Sequence, residues 1–156
     1  MITPAHLLDF AIDQVDRAEG SEVSARRAIS AAYYFLFHSI AQAGAALLKA
    51  PQAVRDDLAR SYDHSGLSIA AKNLQKLASQ TEVDPRLIQI AGSVQRLREA
   101  REKADYDLTA RLTWDEADEL VNEALFASNL LAQIASEPAA AEFLLSPLIQ
   151  KRSRRG

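Results

Sequence analysis

The chain has 156 residues, enough for one domain with a substantial core and too few for two. It is 48% hydrophobic, has only 5 Gly and 5 Pro, and has no cysteine, so disulfides, thiolate metal sites and cysteine nucleophiles are excluded and a turn-rich β architecture is disfavoured. Net charge is −3, but it is uneven: without the four bases of the terminal KRSRRG (151–156), 14 bases face 21 acids, a charge of −7, and such a body is a poor general binder of phosphate backbones.

No apolar run approaches the roughly 20 residues of a membrane span, and the first ten residues lack a basic region followed by an apolar block, so a cytoplasmic protein is expected. Thr3-Pro4 reads as a helix cap followed by proline at the first helical position, with Leu8, Ile12 and Val15 running helically to a stop at Gly20. Ser21 can cap a second helix that Pro51 ends near Ala50; at roughly 40 Å it should be the spine of the fold. Residues 52–61 form a short helical piece and YDHSG (62–66) a turn. Leu67, Ala70, Ala71, Leu74 and Leu77 continue at helical spacing to about Ser79. Asp84-Pro85 repeats the cap signal before a long helix to about Tyr106. Thr113 and Glu116 of TWDE form a capping box for a helix carrying Leu120, Ala124, Ala127, Leu131 and Ile134. A short apolar helix over 139–149, cut by Pro147, precedes the basic tail, which as a charged end is expected to be solvated. No segment shows strand alternation. The expected fold is all-α: an antiparallel four-helix bundle over 1–136, with the helix and tail of 137–156, like the piece at 52–61, as appendages.

Two helices carry more than a core face. In RRAISAAYYFLFHSI (26–40), Ile29, Tyr33, Leu36 and Ile40 fall within about 60° of one another and make the core stripe, while Arg27, Tyr34 and His38 make a second stripe on the opposite side. That second stripe suits a subunit or helix interface, or a catalytic face. Along 87–108, Leu87, Ile90, Val94, Leu97, Ala104 and Leu108 share one face, with Arg101 in its middle and Asp105 at its edge. A charge on an apolar stripe is costly unless paired, and the i, i+4 spacing of Arg101 and Asp105 allows that pair; Arg98 lies beside them. The readings open here are a structural ion pair that fixes helix register and a phosphate-binding site. There is no His-x-x-x-His, no HExxH and no Gly-rich phosphate loop, so no metal site and no cofactor is expected. His6 sits in a first turn and His64 in the 62–66 turn.

ARRAISAAYYFLFHS (25–39), HSG (64–66), LREAREKADYD (97–107) and WDEA (114–117), in that order and spacing, resemble a small stand-alone branch of the HEPN family. The resemblance implies a bundle of four or five helices, usually homodimeric, often accompanying a nucleotidyltransferase in toxin–antitoxin or defence modules. Many HEPN domains are metal-independent ribonucleases in which an Arg is followed, after four to six residues, by His, with two subunits pooling their motifs. Here four residues after Arg101 lead to Tyr106, and six after Arg98 lead to Asp105. Metal-free RNA cleavage needs a base and an acid that His supplies near neutral pH, whereas a phenol titrates near about 10. The expectation is therefore a nucleotide- or RNA-binding homodimer working with a nucleotidyltransferase-type partner, in which Arg98 and Arg101 hold a phosphate, Asp105 orients them and Tyr106 flanks the site. The alternatives are an endoribonuclease using Arg101, Asp105, Tyr106 and His38 or His64, and a purely structural dimeric bundle.

Overall fold

The computed structural model describes residues 1–17, 19 and 21–153, with side chains through 149; Gly20, the expected helix stop, and Arg154 and Arg155 of the tail lie outside the described residues. The described chain is all-α: α1 (Pro4–Arg17), α2 (Glu22–Ala46), α3 (Gln52–Arg60), α4 (His64–Ala78), α5 (Pro85–Tyr106), α6 (Trp114–Ile134) and α7 (Pro138–Ser153). None of these helices is long and apolar enough to cross a membrane.

The caps follow the local chemistry. Ser21 accepts from the Ser24 amide, Asp84 from Arg86, and Thr113 and Glu116 complete a capping box. At α1 the Thr3 amide donates to His6 Nδ1 (3.1 Å), so His6 occupies the place a capping-box glutamate would take. Asp63 caps α4 by accepting from the Gly66 amide, which makes His64 the first residue of that helix rather than a turn residue.

α2 is the spine, packed against α1, α3, α5, α6 and α7; α5 also packs against α4 and α6, and α7 against α4. Ile29, Tyr33, Leu36 and Ile40 are buried as their spacing predicts, and the alanines at 25, 28, 32 and 41 let the neighbouring helices approach closely. Four expectations shift. Ile12 points outward; Leu8 and Val15 face the core as their spacing predicts, joined by Leu7 and Ala11. α2 stops at Ala46, because Leu47 and Leu48 bond back three residues and turn the chain toward α3. Leu108 lies past the end of α5 and is exposed. α7 runs through Pro147, and Ala140, Phe143 and Leu144 join the one hydrophobic core, so α7 is no appendage; α3, with no buried residue, is one.

Pro147 lacks the amide that would reach the Phe143 carbonyl. Beside it, the Tyr62 hydroxyl donates to the Leu144 carbonyl. Gly44 makes this contact possible, since a Cβ at that position would collide with the Tyr62 hydroxyl.

Candidate functional site

Arg101 stands on the inward face of α5 and is only 8% exposed. Its guanidinium carbon lies 5.3 Å from the ring centre of Tyr33, 5.9 Å from that of Tyr34 and 5.8 Å from that of Tyr106, a cage of three π faces. The expected ion pair with Asp105 exists but is long, at 3.5 Å, and Asp105 is exposed and also accepts from Ser30 Oγ at 3.4 Å. The Arg101 Nε is buried without a hydrogen-bond partner. A guanidinium has five N–H donors, and burying it without matched acceptors is costly. Arg98, half-buried one turn earlier, has its Nε 3.1 Å from Glu102 Oε1, close enough for an ion pair but without hydrogen-bond alignment. Two cations therefore sit side by side, each with one carboxylate partner, Glu102 for Arg98 and Asp105 for Arg101, and each with a buried Nε that makes no hydrogen bond.

Two histidines reach the same place from other helices. Tyr33, buried on α2, has its hydroxyl 2.8 Å from His64 Nδ1. Burial pushes the Tyr33 phenol up to about 12, against the pull of Arg101 and Arg98, so it stays protonated. When that phenol donates, the imidazole carries its own proton on Nε2; when the phenol oxygen accepts, the proton is on Nδ1. The pKa of His64 is lowered by burial first, then by the charges of Arg101, His38 and Arg98, with Asp63 opposing. His38, on the exposed side of α2, stacks on Tyr34 (6.4 Å) and meets Phe37 edge-on (5.1 Å); although the residue is exposed, this shielding lowers its pKa too. Phe37 also lies 4.3 Å from His64, which closes the cluster.

Of the residues singled out from sequence, Arg98, Arg101, Asp105, Tyr106, Tyr34 and His38 come together. Arg27 makes no contact with Arg101; it is exposed on an adjoining groove with Phe10 and Val23 that Tyr34 and Asp105 of the cluster also line. Tyr33 enters as a core residue with a working hydroxyl, and His64 moves from turn to site. The Asp-His-Ser-Gly order around position 64 held the cap signal, but no spacing rule connects it to Tyr33.

Sequence reading also passes over Arg26. Its Nη1 donates to the carbonyls of Ala104 and Asp107 (both 2.9 Å), and its Nη2 to the carbonyl of Ala110 and to Glu22 Oε1 (2.8 Å). The first two of these carbonyls belong to the C-terminal end of α5, so Arg26 clamps the turn that carries Arg101, Asp105 and Tyr106.

Among the described residues no three His, Asp or Glu side chains gather closely enough to hold a metal ion. The arrangement brings two guanidiniums and the His64 ring close to one cluster of aromatic side chains, with two exposed carboxylates, Glu102 and Asp105, at its edge. No known family, curated protein or solved structure matches the chain.

Proposed function

We propose that this chain is a HEPN-like helical module that binds the phosphate of RNA or of a nucleotide at the Arg98–Arg101 cluster, as a homodimer and alongside a nucleotidyltransferase-type partner. The observation that carries the reading is the buried, under-satisfied Arg101. A phosphate at the open edge of the guanidinium offers acceptors to a cation whose only carboxylate partner is 3.5 Å away, and charge-assisted bonds to it are short and strong. His64 in its Nε2–H form adds a third donor, and Asp105 steers the guanidinium from its edge. A structural ion pair is the weaker account: the carboxylate is exposed, so it repays little of the cost of burying the cation.

The four-helix arrangement of α1, α2, α5 and α6, the dimer and the partner belong to this proposal through the HEPN resemblance. Exposed Phe10, Val23, Tyr106 and Leu108 flank the cluster and favour a covering subunit.

One observation favours a second reading, a metal-independent endoribonuclease. His64 and His38 supply through tertiary structure the imidazoles that the 98–106 segment lacks. Cleavage would need one imidazole to take the 2′-hydroxyl proton and a second group to protonate the leaving 5′ oxygen, with Arg101 stabilising the phosphorane. As a donor to the phosphate, His64 is in the wrong tautomer for the first step, so cleavage is expected to be slow or absent.

Calorimetric titration with inorganic phosphate, a nucleoside monophosphate and a short single-stranded RNA tests the reading. Arg98→Ala/Arg101→Ala should keep its helical circular dichroism and lose affinity by more than about 100-fold. Unchanged binding by that double variant overturns the proposal. Incubation of the same RNA in EDTA at neutral pH covers the alternative: robust cleavage that disappears in Arg101→Ala favours the ribonuclease.

A further inference from the structure

Beyond His38 the surface does not close. A groove of about 630 Å³ runs between α2 and α3, and His38 and Phe37 line it as well as the Arg101 cluster. Its α2 wall presents Ala41 and Ala45, and Ala59 faces them from α3, so small side chains leave a slot between the helices. Tyr62 borders the slot, its hydroxyl already committed to the Leu144 carbonyl. Arg55 also lines the groove. It donates to the Gln52 side chain (2.7 Å) but makes no salt bridge with a carboxylate among the described residues, and its Nε is solvent-shielded without a hydrogen-bond partner. Arg60 and Asp56 line the groove too; Arg60 pairs with Asp57, and Asp56 accepts from the Gln52 amide (2.7 Å).

We infer that this groove is a second subsite, in which Arg55 binds a neighbouring phosphate of a single-stranded polynucleotide while its base lies in the alanine-floored slot beside His38 and Phe37. The inference rests on the reading of Arg98 and Arg101 as phosphate ligands, and it extends that reading from a mononucleotide to a strand. Arginines at either side of one shared aromatic rim, Arg101 and the carboxylate-free Arg55, fit the repeating phosphates of a chain better than a single phosphate. A slot of this volume is in the range that small ligands fill, and a flat base can stack on an exposed imidazole. The body is acidic overall, so a strand would be held only where these local cations interrupt the negative field.

Fluorescence anisotropy with labelled single-stranded RNA and DNA oligonucleotides, alongside a nucleoside monophosphate, separates the possibilities. Arg55→Ala should weaken oligonucleotide binding about tenfold and reduce its log–log salt slope by roughly 0.7, while mononucleotide binding stays unchanged. Arg55→Lys should recover most of the loss, and Arg17→Ala, which removes an equal charge on α1, should cause none. α3 has no buried residue, so these variants keep the fold, which circular dichroism checks. Loss in the RNA arm, the DNA arm or both supports the subsite and tells which sugar it accepts. Wild-type-like oligonucleotide binding by Arg55→Ala overturns the subsite and leaves the Arg98–Arg101 site standing, as does a wild-type protein that binds the mononucleotide but no oligonucleotide. A wild-type protein that binds neither overturns both.

Discussion

Arg101 was visible in the sequence because an arginine in the middle of an apolar helical stripe has no packing explanation. His64 and Tyr33 were not, because their 2.8 Å contact joins residues 31 apart and depends on where α4 begins relative to α2. That contact makes His64 a titrating reporter of the site. Its folded pKa lies below the ordinary value of 6.5, so the folded state binds fewer protons than the unfolded state. Its contribution to stability is thus complete at higher pH and falls as pH drops below about 6.5 toward the lowered folded value. Burial and the arginine charges set that lowered value, and a bound phosphate anion beside the same arginines acts in the opposite direction. NMR titration of the imidazole should give a pKa below 6.5 in the free protein and a higher one with saturating phosphate. A His64 resonance that ignores phosphate would place the anion elsewhere.

Helix starts were legible wherever a capping residue marks them, whereas Pro51 and Pro147 did not mark the ends expected of them. Ser21, Asp84 and Thr113 all act as their local chemistry predicts. The misplaced boundaries depend on distant partners. α2 ends early to deliver α3, and α7 continues through Pro147 because the core on its inner face outweighs one missing amide bond. Arg26 belongs to the same lesson, since nothing in its i, i+4 pairing with Glu22 reveals the carbonyls it reaches about 80 residues away. Removing it should loosen the end of α5. Arg26→Ala is expected to lower unfolding stability by about 2–3 kcal/mol in urea denaturation, since hydrogen bonds from a charged, mostly buried donor are lost together. Arg26→Lys should not restore it, because a single ammonium lacks the planar fork that spans these acceptors. Amide exchange over residues 104–112 should quicken in both variants. If it does not, the clamp is not what holds that turn.

Six of the seven helices of the described residues place buried side chains in one hydrophobic cluster, and the all-α class followed from composition and periodicity alone. How many copies work together is a property of the outer surface, which periodicity does not describe. Exposed Phe10, Val23 and Arg27 line one groove with Tyr34 and make an amphipathic face beside the Arg101 cluster. Isologous pairing is the commonest way to cover such a face, so static light scattering at tens of micromolar should report twice the 17.1 kDa chain mass. A monomer at that concentration, together with a monomeric Arg27→Glu variant of unchanged affinity, would remove the dimer from the proposal. Deep in the molecule, Gly44 and Tyr62 hold a different kind of information. A Cβ at position 44 would collide with the Tyr62 hydroxyl and crowd the Leu144 carbonyl it donates to, where α7 meets α2. Such a position has an alphabet of a single letter, while the arginines of the surface can be moved or exchanged as ligands change. A glycine near the end of a long alanine-rich helix, followed by a tyrosine just before the next Asp-His-Ser-Gly cap, is therefore a fingerprint by which distant chains with this helix docking could be traced after their binding residues have diverged.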